Sequence, residues 1–203
     1  MTGRELTDAE INELWDAWTP SEVARRLSKV TAPWYVAAGW ALELFTGDAA
    51  REHADLEIGV SAALFGDVMQ AFPDFEWDVV GDGHVWPFPE QFASQHQTWL
   101  REPRTGRYRV DVFREPYVGH HWVCRRDTSI TLPYSELILH NSEGIPYAAP
   151  EVVLLFKAKH LREKDIADFQ RVVPAMDETR RSRLIGWLAR VHPGHPWIEA
   201  LTE

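Results

Sequence analysis

Two acids stand one residue apart at Asp55 and Glu57, in a run that reads Asp-Leu-Glu-Ile-Gly-Val and ends at Val60. Alternation along a strand would put Asp55 and Glu57 on one face and Leu56 and Ile58 on the other. Adjacent carboxylates repel, and each disfavours ionisation of the other. A divalent metal is the usual reason to keep such a pair, because hard cations take oxygen ligands and organise phosphoryl chemistry. A third acid, Asp111, lies mid-strand in Tyr-Arg-Val-Asp-Val-Phe. Among apolar neighbours an acid is unfavourable unless paired or metal-bound, and Arg109 and Arg114 leave the pairing alternative open. Arg51 and His53 precede the acidic pair. A guanidinium fork suits phosphate oxygens, although two polar residues in a loop also read as ordinary surface. Asp165 and Asp168 are one helical turn apart and share a face, free either to hold cationic groups of a ligand or to pair with Lys157 and Lys164.

Other chemistries find little footing. There is no serine-nucleophile motif, no GxGxxG and no HExxH spacing. His120 and His121 are consecutive and would face opposite ways on a strand, a poor start for a shared metal. Cys124 is the only cysteine, which excludes an intrachain disulfide, and it reads as a buried strand residue. Trp86 and Trp99 are candidates to line a pocket for a base or sugar ring.

The elements that must position these residues follow from period and punctuation. Thr7 to Glu10 is a capping-box pattern, with Ile11, Leu14, Trp15 and Trp18 at helical spacing after it. Thr19-Pro20 opens a second helix that runs towards Pro33. Tyr35 to Ala38 reads as a strand, Trp40 to Phe45 as a helix stopped near Gly47, and Asp55 to Val60 as the next strand. Ser61 to Phe72 has helical spacing, and Phe75 to Val80 reads as a strand. Residues 81–94 read as a loop holding a short strand. Gln97 to Arg101 and Arg107 to Phe113 form a hairpin. Short strands are expected at His120 to Arg125, Leu137 to Leu139 and Ile145 to Tyr147. From Pro150 the pattern is helical: Pro150 to His160, Lys164 to Val173, a helix capped by Asp177, and a final turn at Trp197 to Leu201.

The chain has 203 residues, 45% hydrophobic and 12% aromatic, enough for one compact unit or two small lobes. Lys plus Arg number 21 against 31 Asp plus Glu, a net charge of −10, which argues against duplex nucleic acid as a partner and suits a cationic small molecule. No apolar run approaches the length of a membrane span, and the polar N-terminus lacks the pattern of a secretory signal. The expected setting is cytoplasmic.

The stretch from Tyr35 to Val60 resembles the nucleotidyltransferase superfamily of polymerase-beta-like fold. It is most similar to the small aminoglycoside and lincosamide nucleotidyltransferases, whose motif is a glycine turn, Trp-Ala, an acid, a further glycine, Thr-Arg-x-His and Asp-x-Asp. Here those places hold Gly39, Trp40, Ala41, Glu43, Gly47, Ala50, Arg51, His53, Asp55 and Glu57, with Ala38 before the glycine. A second stretch of likeness supplies Pro150, Glu151, Lys157, Arg162, Lys164, Asp165, Asp168 and Phe169. The resemblance covers most of residues 30–175.

It implies an α+β fold: a mixed sheet with flanking helices over residues 1–148, a helical C-terminal part over 149–203, and a cleft between them. It implies transfer of a nucleoside monophosphate, AMP from ATP, to a hydroxyl of a small acceptor, with antibiotics of the aminoglycoside type among the candidates and antibiotic resistance as the role. Asp55, Glu57 and Asp111 would hold Mg2+ and act in catalysis. Ala38, Gly39, Arg51, His53 and Lys157 would bind the nucleotide, and Asp165 and Asp168 the acceptor. Ala38 and Glu57 also admit a catalytically degenerate nucleotide- or ligand-binding protein. A third alternative is adenylylation of a protein or RNA.

Overall fold

The computed structural model describes residues 3–202. The chain opens with β1 (Arg4–Glu5), α1 (Asp8–Leu14) and α2 (Pro20–Arg26), then β2 (Trp34–Val36), α3 (Ala38–Thr46), β3 (Glu57–Ser61) and α4 (Phe65–Gln70). Next come β4 (Glu76–Gly81), β5 (His84–Pro87), β6 (Gln97–Arg101), β7 (Tyr108–Glu115), β8 (Tyr117–Val118), β9 (His121–Val123) and β10 (Thr131–Pro133). Then follow α5 (Tyr134–Leu137), β11 (Ile138–His140), β12 (Pro146–Ala148), α6 (Pro150–Lys157), α7 (Glu163–Val172), α8 (Glu178–Val191) and α9 (Pro196–Ala200).

Nine strands form one mixed sheet in the order β1-β5-β4-β6-β7-β3-β2-β12-β11, and β8, β9 and β10 form a small separate one. Parallel pairing of β3 with β7 and antiparallel pairing of β3 with β2 place β3 near the middle. Its even residues, Ile58 and Val60, are fully buried, as are Val110 and Val112 of β7 and Leu100 of β6. Val23 and Leu27 from the α2 segment and Phe65 and Val68 from α4 join the same core. Each such aliphatic side chain contributes about 1.5–3 kcal/mol on burial, so the register of β3 and β7 is strongly fixed. Their odd residues, Glu57 and Asp111, must therefore face the other way, towards α6.

Local chemistry explains most boundaries. Thr7 accepts from the Glu10 N–H and Glu10 answers at the Thr7 N–H, so α1 starts where the capping box predicts. It stops at Leu14 rather than continuing to Trp18, because Trp15 makes a bridge to Tyr108 and joins a second apolar cluster with Trp99. The second helix ends at Arg26, well before Pro33. The expected helix from Ser61 to Phe72 is split into a 3-10 turn and the short α4. The strand expected from Asp55 starts at Glu57, which leaves Asp55 in the preceding loop. Trp86 lies within β5, stacked on His84, and Trp99 is buried against Trp15 and Tyr108, so neither lines the cavity that Asp55 and Glu57 border. No helix among the described residues is long and apolar enough to cross a membrane.

Candidate active site

The turn from β2 into α3 sets the first wall of the site. Ala38 holds φ at 49°, a left-handed conformation that glycine adopts freely and alanine at a cost. At Gly39 a methyl group would overlap the side chains of Arg51 and His53, so only glycine lets the loop of residues 48–56 close on the start of α3.

Glu43, one turn further along α3, fixes that loop. Its Oε1 accepts from the backbone N–H of Ala50 at 3.1 Å, from that of Arg51 at 3.2 Å and from His53 Nε2 at 2.8 Å. Burial works to raise the Glu43 carboxyl, but these hydrogen bonds outweigh it and hold it below its ordinary value. Burial lowers the His53 imidazole, and Arg51 adds to that against the pull of Glu43. A neutral ring donating from Nε2 to a carboxylate is the consistent state, a hydrogen bond rather than an ion pair. The ring stacks on Trp40 at 4.5 Å, and Trp40 Nε1 donates to the Asp55 carbonyl at 3.1 Å. Thus α3 positions Asp55 through two of its side chains.

The acids meet across the sheet. Glu57 and Asp111 are direct partners in the β3–β7 register, and the Asp111 N–H donates to the Leu56 carbonyl at 2.9 Å. Burial, then Asp55 and Asp111, push the Glu57 carboxyl up to about 8, with Lys157 opposing. Burial also pushes Asp111 up to about 8, reinforced by Asp55 and opposed mainly by the Gln97 amide, which donates to Oδ2. The indole N–H of the cross-strand Trp99 lies towards Asp111 and favours its charged form, yet neither it nor Oδ1 completes a hydrogen bond. Neither Arg109 nor Arg114 takes the pairing role: Arg109 binds Asp16 and Glu102, and Arg114 binds Thr98 and two backbone carbonyls. Among the described residues no three His, Cys, Asp or Glu side chains converge closely enough to hold a metal ion as they stand. The donor chemistry nevertheless fits magnesium: the set is all oxygen, mutually repelling, and includes a buried carboxylate oxygen with no partner.

Lys157, on α6, is held by two acids of α7. Its Nζ lies 2.9 Å from Asp165 Oδ1 and 2.9 Å from Asp168 Oδ2. Arg162 adds a second contact to Asp165 at 2.7 Å, and Arg171 reaches Asp168 at 3.3 Å. Burial works to raise Asp165, but Arg162 and Lys157 hold it below its ordinary value. Both aspartates are buried and committed to internal ion pairs. They position Lys157 rather than offering charge to an incoming acceptor, and Lys164 is not their partner.

Ala38, Gly39, Arg51, His53, Asp55, Glu57 and Lys157 border a cavity of about 530 Å³, while Asp111, Asp165 and Asp168 lie behind its wall and do not line it. Beyond Glu57 the lining continues with Tyr35, Phe113, Glu115, Trp122, Arg125, Arg126 and Phe156. The sequence reading passed over this half. Phe113 and Glu115 follow Asp111 at intervals of two in the same strand, so the alternation that singled out Asp111 also pointed to them. The ring of Tyr35 lies against the backbone of Gly59, where a methyl group would overlap it.

No protein-family model and no curated protein matches the sequence. Solved structures do match the fold. LnuA, a lincosamide antibiotic adenylyltransferase solved with lincomycin bound, has a TM-score of 0.55 at 17% identity, over 85% of this chain and 100% of its own. ANT(2'')-Ia in complex with adenylyl-2''-tobramycin has a TM-score of 0.56 at 9% identity, over 84% of this chain and 95% of its own. The solution structure of the antibiotic-resistance factor ANT(2'')-Ia gives 0.56 at 10% identity, over 91% and 94%. At these identities the likeness is one of architecture, and the architecture of this chain is that of the lincosamide and aminoglycoside nucleotidyltransferases.

Proposed function

We propose that the protein is a magnesium-dependent nucleotidyltransferase that moves AMP from ATP to a hydroxyl of a small-molecule acceptor. The observation that carries this reading is the pairing of Glu57 with Asp111 across β3 and β7, with Asp55 near enough to disfavour ionisation of both, beside a cavity that also takes in the α3 turn and Lys157. Gly39, Arg51, His53 and Lys157 would hold the phosphates, with the α3 N-terminus favouring their charge. Asp55, Glu57 and Asp111 would hold Mg2+, which supplies charge neutralisation at the triphosphate when bound. Asp111 would take the proton from the acceptor hydroxyl. The hydroxyl oxygen then bonds to the α-phosphorus as the bond to pyrophosphate breaks. The cavity's role is to hold the two reactants in line and keep bulk water away.

The test is Asp111→Asn, which keeps shape and removes basicity. Single-turnover transfer should fall by at least roughly a hundredfold, while calorimetry shows only modest loss of Mg2+–ATP affinity. Full activity in this variant would end the reading of Asp111 as the base. A second reading, a protein that binds nucleotide without turning it over, is favoured by the strained Ala38 at the phosphate turn. Tight Mg2+–ATP binding with no pyrophosphate release against aminoglycosides, lincosamides, cellular proteins or RNA would select it.

A further inference from the structure

The far end of the cavity has its own chemistry. Arg125 Nη1 bonds Glu115, whose side chain is only 6% exposed, while that of Arg125 is 25% exposed. The Arg125 guanidinium also sits 5.2 Å from the Phe113 ring centre and 4.6 Å from that of Phe156. Arg126 approaches the Phe156 ring at 4.5 Å and donates to the Leu155 and Phe156 carbonyls, both at 3.1 Å.

Two consequences decide what this end can take. Aromatic faces beside a carboxylate are the usual means of capturing a cation. Here the chain's own guanidinium groups already occupy Phe113, Phe156 and Glu115, so an incoming ammonium would meet arginine instead. Two guanidinium groups face one carboxylate, Glu115, which leaves a single net positive charge. Among the described residues, the remaining N–H groups of Arg125 have no hydrogen-bond partner, and Glu115 and the two rings orient its fork. A pre-oriented, singly compensated guanidinium fits a singly charged planar oxyanion. The site is continuous with the reacting centre, since Phe113 and Glu115 share a strand face with Asp111.

We propose that Arg125 is a specificity-determining residue at the acceptor end of the cleft, and that the acceptor is a compact hydroxyl-bearing compound carrying a carboxylate rather than several amines. This rests on the transferase reading of the same cleft. Acidic composition over the whole molecule does not oppose it, because charge at the site, not the total, meets the ligand.

Calorimetry with three probes tests the proposal: 4-hydroxyphenylacetate, its neutral amide and tobramycin, each titrated with Mg2+ and a non-hydrolysable ATP analogue bound, and again without nucleotide. The acid should bind at least about tenfold more tightly than the amide, the scale of a charge-assisted hydrogen bond. Arg125→Gln should erase that difference while the ATP analogue keeps its affinity to within about twofold. Arg125→Lys, which keeps the charge without the fork, should fall between them and guards against a misfolded Gln variant. Equal binding of acid and amide, tightest binding by tobramycin, or no binding of any probe overturns the proposal. So does a loss of about tenfold or more in ATP-analogue affinity in Arg125→Gln, which would assign Arg125 to the nucleotide. Arg125-dependent binding of the acid without any binding of the ATP analogue would instead keep the oxyanion subsite and remove the transferase reading.

Discussion

Ala38 shows how a single residue can carry strain at the turn from β2 into α3. Its φ of 49° costs an alanine about 1 kcal/mol relative to glycine, partly offset by the larger freedom glycine has when unfolded. Ala38→Gly should therefore leave the melting temperature unchanged or raise it by a few degrees, and should not weaken nucleotide binding. A clear fall in melting temperature would show that the left-handed turn is not a burden here. Residues whose chemistry depends on near neighbours were legible before the fold was known: Asp55, Glu57 and Asp111 announce themselves as acids among apolar partners. Glu115 and Arg125 were not, because they satisfy each other across ten residues of sequence and a change of strand. Asp165 and Asp168 were legible as a shared face, but what that face meets depends on where α6 lies. Lys157 decided it.

Among the elements, α3 does the most to organise the site, since it carries the Ala38–Gly39 turn at one end and Glu43 in its middle. Removing the Glu43 carboxylate would strand the Ala50 and Arg51 N–H groups and the His53 ring. Glu43→Ala should cost about 3 kcal/mol, in line with several buried donors losing one acceptor. It should also weaken ATP, because the loop carrying Arg51 and Asp55 loses its anchor. A variant as stable as the parent, measured by chemical denaturation, would count against Glu43 as the hub. The order of elements was largely readable from capping residues, period and Pro150. The errors fall where tertiary pairing overrode local pattern. Trp15 left its helix to bridge Tyr108, and residues 127–146 pair through strands of three residues, too short to show a period.

For the molecule as a whole, the buried acids tie stability to pH. Glu57 and Asp111 stand at about 8 in the fold against ordinary values of 4.5 and 3.8. Between those limits the unfolded chain has released protons that the folded chain still holds. These two acids therefore take stability away from the metal-free protein as pH rises from about 4 to about 8, against the opposite contribution of His53 and His96, whose imidazoles burial lowers. Magnesium held by these acids as proposed would bind their ionised form, so its stabilising effect should be larger at pH 8 than at pH 6. Thermal melts with Mg2+ and with chelator across this range measure both effects, and Glu57→Gln should flatten the metal-free slope. A magnesium effect independent of pH would mean that these acids are not where the ion goes.

Gly59 has a consequence for the dimensions of the chamber. Because the Tyr35 ring rests directly on its backbone, the missing side chain at 59 sets how deep the hollow runs. Any carbon added there would act as a shim, tilting the ring into the hollow while leaving the Ala38–Gly39 turn alone. Graded replacement by Ala, Ser and Val should raise the acceptor KM stepwise with side-chain volume at nearly constant ATP affinity, so position 59 would serve as a caliper for the size of molecule admitted. Loss of ATP affinity in the same proportion would place that depth on the nucleotide side instead.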